Sequence, residues 1–81
     1  MRVRFTTRSR RQYADAPLEI QRAFDRHLEL LLENLRHPSL RAKKYDEAND
    51  IWQARVTRGW RFYFRIEADT YLVLSLITHP T

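Results

Sequence analysis

Arginine dominates the stretch from Arg55 to Arg65, where Arg55, Arg61 and Arg65 alternate with aromatic and aliphatic residues. Side chains two apart on a strand share a face, so this alternation groups guanidinium groups on one side. Planar guanidinium groups bind phosphate through paired hydrogen bonds, and several on one surface suit a polyanion. His79 follows the last apolar run, and histidine is the side-chain type that ordinarily exchanges a proton near neutral pH. Together, Arg55, Arg61 and His79 have the residue types needed to bind a phosphodiester and move a proton beside it.

That grouping depends on how the strands are sorted. Three runs, about Ile51 to Val56, Trp60 to Ile66 and Thr70 to Thr78, read as strands joined closely enough for an antiparallel meander. One alternating set is Trp52, Ala54 and Val56, then Trp60, Phe62, Phe64 and Ile66, then Leu72, Leu74 and Leu76, and is expected to form the core. The other set is Gln53, Arg55 and Thr57, then Arg61, Tyr63 and Arg65, then Tyr71, Val73, Ser75, Ile77 and His79. A two-residue loop of Arg58 and Gly59 would set Arg55 opposite Phe62 and mix the faces. A three-residue loop, Thr57 to Gly59 with Gly59 left-handed, instead sets Arg55 across from Arg61. Like charges so placed repel by some tenths of a kcal/mol, a conflict that an anion between them would resolve. An alternative use of the same face has arginines extended over Tyr63 and Tyr71 in a solvated layer.

The elements behind the sheet are legible too. Val3 and Phe5 alternate with Arg2 and Arg4 as a first strand, and Ser9 to Ala14 reads as a short helix or turn. From Pro17 to about Arg36, Ile20, Ala23, Phe24, His27 or Leu28, Leu31, Leu32 and Leu35 form a helical stripe. Asp15 is the expected cap, Glu19 complements the helix N-terminus, Arg36 and His37 suit its C-terminus, and Pro38 stops it. His27 and His37 are expected to serve surface or helix-end roles. Ser39 to Asp50 reads as a basic connection with an acidic tail at Asp46, Glu47 and Asp50. The expected fold is α+β: an N-terminal strand, then one short and one long helix packed on one face of a mainly antiparallel four-stranded sheet, in a single domain over residues 1–81.

Composition bounds the rest. A chain of 81 residues that is 43% hydrophobic with one glycine suits one compact domain rather than a disordered segment. It contains no cysteine, and its three histidines lack metal-ligand spacing, so neither a disulfide nor a metal site is expected. There is no leader-like apolar segment at the start and no membrane-length apolar run, which predicts a cytoplasmic protein without a membrane partner. Its net charge of +5 favours a polyanion such as nucleic acid.

The run Trp52 to Ile66, with the upstream Leu40 to Tyr45 and the late Leu74 to His79, resembles the RelE/ParE superfamily of toxins from bacterial type II toxin-antitoxin systems. The resemblance spans nearly the whole chain and rests chiefly on an arginine, a short turn, a second arginine and an aromatic-rich strand. In the RelE-like branch it implies a ribosome-dependent endoribonuclease that enters the ribosomal A site and cuts mRNA without metal or cofactor. There the ribose 2′-hydroxyl attacks the adjacent phosphate and expels the 5′-oxygen. Carried over by position, Arg55 and Arg61 would hold the phosphate and Arg65 would share that role. Lys43 and Lys44 fall near the family's basic RNA-binding loop, Tyr63 could stack a base, and His79 falls where members carry a catalytic histidine or tyrosine. No acidic residue aligns as a base. The implied partners are an antitoxin protein, forming a toxin-antitoxin hetero-oligomer, with mRNA and the ribosome. Two alternatives remain: a ParE-type inhibitor of DNA gyrase, and a non-catalytic module that binds RNA or antitoxin.

Overall fold

A computed structural model describes residues 1–80 of the chain. In order, the elements are β1 (Arg2–Phe5), α1 (Thr7–Asp15), α2 (Leu18–Glu33), a 3-10 turn (Pro38–Leu40), β2 (Lys43–Asp46), β3 (Ile51–Thr57), β4 (Trp60–Glu67) and β5 (Thr70–Thr78). The strands form one sheet in the order β1-β5-β4-β3-β2, parallel between β1 and β5 and antiparallel elsewhere. The expected α+β architecture is present, but the sheet has five strands rather than four. The added strand is β2, inside the segment read as a connection. Four residues with alternating exposure, paired on one edge only, are a weak signal in sequence.

Phe24 of α2 is the centre of the core. It is fully buried and meets Phe62 edge-on at 5.2 Å between ring centroids, with Phe5 at 6.1 Å and Tyr13 at 5.7 Å. Ile20, Ala23 and Leu31 continue the buried stripe, and Leu28 and Leu35 pack beside it. Leu32, expected within the stripe, is instead 43% exposed. The helix begins behind Pro17 without a side-chain cap, so Asp15 does not cap it; Gln21 Nε2 instead donates to Tyr13 O at 2.8 Å and ties the two helices. It also ends at Glu33, before Arg36, because Asn34 is extended and its Oδ1 accepts from Arg36 N at 2.9 Å.

Of the three β-bulges among the described residues, those in β3 and β5 decide which side chains of the meander face where. In β3 the pairing runs Arg55 to Arg61, then Thr57 to Trp60, so the extra residue is Val56. The expected Arg55–Arg61 opposition is therefore present, but the bulge within the strand creates it. The turn itself is the two-residue Arg58-Gly59, and Gly59 is not left-handed. In β5 the shift lies between Ser75, opposite Tyr63, and Val73, opposite Phe64, which leaves Leu74 as the extra residue. Alternation reverses there. Tyr71 and Val73, assigned to the polar face from sequence, are buried in the core, with Tyr71 edge-on to Phe64 at 5.6 Å, and Leu72 and Leu74 are only half-buried. No helix among the described residues is long and apolar enough to cross a membrane.

Candidate active site

The sheet face away from α2 carries a cationic cleft. Its central row is Arg55 of β3, Arg61 of β4 and Ile77 of β5, set side by side by the pairing register. The next row is Lys43, Gln53, Tyr63 and Ser75 across β2 to β5. A concave space of about 220 Å³ lies over these rows, lined by Arg41, Lys43, Gln53, Arg55, Arg61 and His79. A second hollow continues from it past Arg58 to Pro80. Arg55, Arg61 and His79, named from sequence as one site, thus share one cleft, and Lys43 joins them.

Each of these groups is positioned by the turn between β3 and β4 or by the strand register. Arg61 Nη1 donates to the carbonyl oxygens of Thr57 at 2.6 Å, Trp60 at 3.0 Å and Arg58 at 3.1 Å. One nitrogen of the guanidinium therefore braces the turn. The backbone N–H of His79 donates to Gly59 O at 2.8 Å, which fixes the end of β5 to the same turn. Arg55 has no such brace. Burial first, then the charges of Arg41, Arg61 and Arg58, hold its pKa below the usual arginine value.

Three residues named from sequence are not among those lining the cleft. Lys44 is next to Lys43 on β2 and so points to the opposite face, where its Nζ meets Asp50 at 2.7 Å and Glu47 at 3.8 Å and lies 5.2 Å from the Trp52 ring. These are the only ion pairs within 4 Å among the described residues, so the acidic tail is directed to Lys44 and away from the cleft. Arg65 shares the sheet face but is tied at 3.1 Å to Asn49 O and does not line the cleft. Tyr63 lies beside it, with Gln53 Nε2 donating to its hydroxyl at 3.4 Å; burial and then Tyr45 push its pKa up.

Sequence reading missed Arg41, Gln53 and Arg58. Arg41 follows the 3-10 turn in the left-handed conformation, φ 47°, which turns the chain from Leu40 into β2 beside the cleft. A positive φ on a non-glycine residue has no reliable mark in sequence. Gln53 was on the correct face but was passed over as neutral.

The assembled cleft gathers cations, and no Asp or Glu side chain is among its described lining residues. Such a lining can hold an oxyanion, and the His79 imidazole is part of it.

No protein-family model matches the chain, and no curated protein matches it. Solved structures do. A YoeB/ParE toxin from Agrobacterium tumefaciens superposes with a TM-score of 0.83 at 14% identity, covering 99% of this chain and 100% of that one. The YoeB dimer from Staphylococcus aureus gives 0.82 at 10% identity, covering 99% and 98%. The RelBE2 toxin-antitoxin complex from Mycobacterium tuberculosis gives 0.62 at 27% identity, covering 96% of each chain. Over nearly its whole length, the protein has the fold of the RelE and YoeB/ParE toxins.

Proposed function

We propose that the protein is the toxin of a type II toxin-antitoxin pair and cuts mRNA in the ribosomal A site. The observation that carries this reading is the cleft itself: Arg41, Lys43, Arg55, Arg61 and His79 converge on it, with no Asp or Glu side chain among the described lining residues. A gyrase inhibitor acting by protein contact has no need of an imidazole beside clustered guanidinium groups. The shared fold with RelE and YoeB toxins supports the same reading, and toxin-antitoxin complexes among the structural neighbours support an antitoxin partner.

The reaction asks three things of these residues. Arg55 and Arg61 bind the two non-bridging oxygens of a phosphodiester, and they stabilise the additional negative charge of the pentavalent state. The ribose 2′-hydroxyl loses its proton and attacks phosphorus. The bond to the 5′-oxygen breaks, that oxygen takes up a proton, and the products are a 2′,3′-cyclic phosphate and a 5′-hydroxyl. Guanidinium groups stay protonated, so proton exchange falls to His79, with Lys43 as the other non-arginine cation in the cleft.

The test is cleavage of mRNA on programmed ribosomes, with product ends mapped and magnesium-dependent and magnesium-independent activity separated by the design of the ribosome complex. Arg55→Met should lower the rate by about 10²–10³, as expected for removing one oxyanion partner. His79→Ala should lower it by about 10²–10⁴. Wild-type rates in both variants, or inhibition of gyrase supercoiling without any RNA cleavage, would overturn the assignment.

A further inference from the structure

One row beyond the arginines, the same sheet face changes from cationic to aromatic. Tyr45 and Tyr63 meet edge to face, 4.9 Å between ring centroids and 67° between planes. Tyr45 is two residues beyond Lys43 and so shares its face, and it is the bulged residue of β2, between Lys44 paired with Trp52 and Asp46 paired with Ile51. The two rings border a depression of about 300 Å³ whose other walls are Ile51, Leu74, Ile77 and Arg8. Tyr45 is 61% exposed and Ile77 38%, so the depression keeps apolar surface in water.

Its position relative to the cleft is what gives it meaning. Tyr63 is two residues along β4 from Arg61, a rise of roughly 6.6–6.8 Å that one extended nucleotide can span. Gln53 belongs to both sides, lining the cleft and donating to the Tyr63 hydroxyl. Arg8 stands at the far wall, where it can meet the next phosphate. Cation, aromatic ring and cation on neighbouring parts of one surface suit the alternation of phosphate and base in a single strand.

We propose that this depression is a nucleobase subsite, which takes the base next to the phosphate held by Arg55 and Arg61 and stacks it against Tyr45. The inference rests on the RNA-cleaving reading above and adds the substrate class: single-stranded RNA with an unpaired, unstacked base at that position. A paired base lies inside its helix and cannot enter. Because a ring face recognises any base, the subsite selects strandedness more than sequence.

A fluorescent hexaribonucleotide made non-cleavable by 2′-O-methylation provides the probe, alongside copies in which each position in turn is abasic. Wild-type protein should bind the intact strand roughly 5- to 150-fold more tightly than the copy abasic at the stacked position. Tyr45→Ala should lose that preference and leave affinity for the abasic copy within about two-fold, while Tyr45→Phe keeps it. Arg55→Met should weaken both strands alike and so reports the phosphate contact independently. Equal affinity for intact and abasic strands, or undiminished affinity in Tyr45→Ala, overturns the subsite and assigns the surface to a protein partner. Failure of the wild type to bind the intact strand overturns it as well, even with ribosomal cleavage intact; loss of that cleavage is what would count against the nuclease reading.

Discussion

Arg55 and Arg61 face each other across two strands and share a proposed ligand, yet their ties to the protein differ. Arg61 gives three hydrogen bonds to turn carbonyls, whereas the charged neighbours of Arg55 are Arg41, Arg61 and Arg58. Methionine keeps the unbranched stem and removes the charge. Arg61→Met should therefore lower stability by about 1 kcal/mol, the value of charge-assisted bonds reduced for a half-exposed site. Arg55→Met should be neutral or stabilising by up to ~0.5 kcal/mol, since it relieves repulsion. Urea midpoints of the two variants separate these outcomes, and added phosphate should raise the melting temperature of the wild type more than that of Arg55→Met. Both arginines were legible in sequence because the strand period and a turn signal were enough to pair them. Lys44 was misread because it was taken with its neighbour Lys43 as one basic patch, although adjacent strand residues point apart. His27 offers a pH test outside the cleft. Its Nδ1 donates to Ala23 O at 3.0 Å, and burial chiefly lowers its pKa; the Ala23 bond opposes this, while Arg26, His37 and Arg55 add to the lowering. The unfolded chain then binds a proton at higher pH than the folded one. Stability should fall as pH drops below about 6.5 and level off below the folded value. In His27→Gln, urea midpoints between pH 7.5 and 5 should lose this part of the decline.

At the scale of elements, α1 and the β5 bulge act as one unit. Thr6 caps α1, its Oγ1 accepting from Ser9 N at 3.0 Å and donating to Leu74 O at 3.2 Å. Fully buried Ser9 donates from its Oγ to Val73 O at 2.8 Å, and Thr6 N donates to the same carbonyl at 3.1 Å. Gln12 Oε1 accepts from Leu76 N at 2.9 Å, just past the bulge. Strand β1 stops at Phe5, opposite Val73, and α1 then supplies the partners that a longer edge strand would have supplied. Ser9→Ala should cost about 1–2 kcal/mol and Thr6→Ala about 1 kcal/mol. Because both act on one network, the double variant should lose less than the sum, measurable as coupling in urea titrations. The same unit shows where sequence legibility ended. Strands β3 and β4 carried their faces in plain alternation. In β5 the run Tyr71 to Ile77 is apolar apart from Ser75, so either phase fits the pattern. Hydrogen bonds from Thr6 and Ser9, more than sixty residues upstream, hold the bulge that sends Tyr71 and Val73 inward. Helix α2 was clear in its periodicity, while its ends depended on Asn34 and Gln21, whose side chains act locally on the backbone.

Across the whole molecule, the +5 charge is unevenly spread. Asp50 and Glu47 are held by Lys44 on the far side of β2, and on α2 exposed Glu19, Asp25, Glu29 and Glu33 outnumber exposed Arg22 and Arg26. The cleft face keeps Arg41, Lys43, Arg55, Arg58 and Arg61, with no Asp or Glu side chain among the described lining residues. A net charge alone would attract RNA in any orientation. The concentration of cations at the cleft instead favours approach of a strand to that face. Binding to a single strand releases about 0.7 counterion per phosphate neutralised, so about three to five contacts predict a log–log slope of affinity against salt of roughly −2 to −3.5. Arg58 is exposed at the turn and carries no brace role, which makes it the suitable probe of the count. Arg58→Gln should weaken binding to every oligonucleotide sequence alike and make the slope shallower by about 0.7. Tyr45→Ala, by contrast, should weaken binding at unchanged slope, because a stacked base releases no counterion. A slope near zero in the wild type would mean that the guanidinium cluster meets no phosphate, and the asymmetry of charge would then serve association with an acidic protein instead.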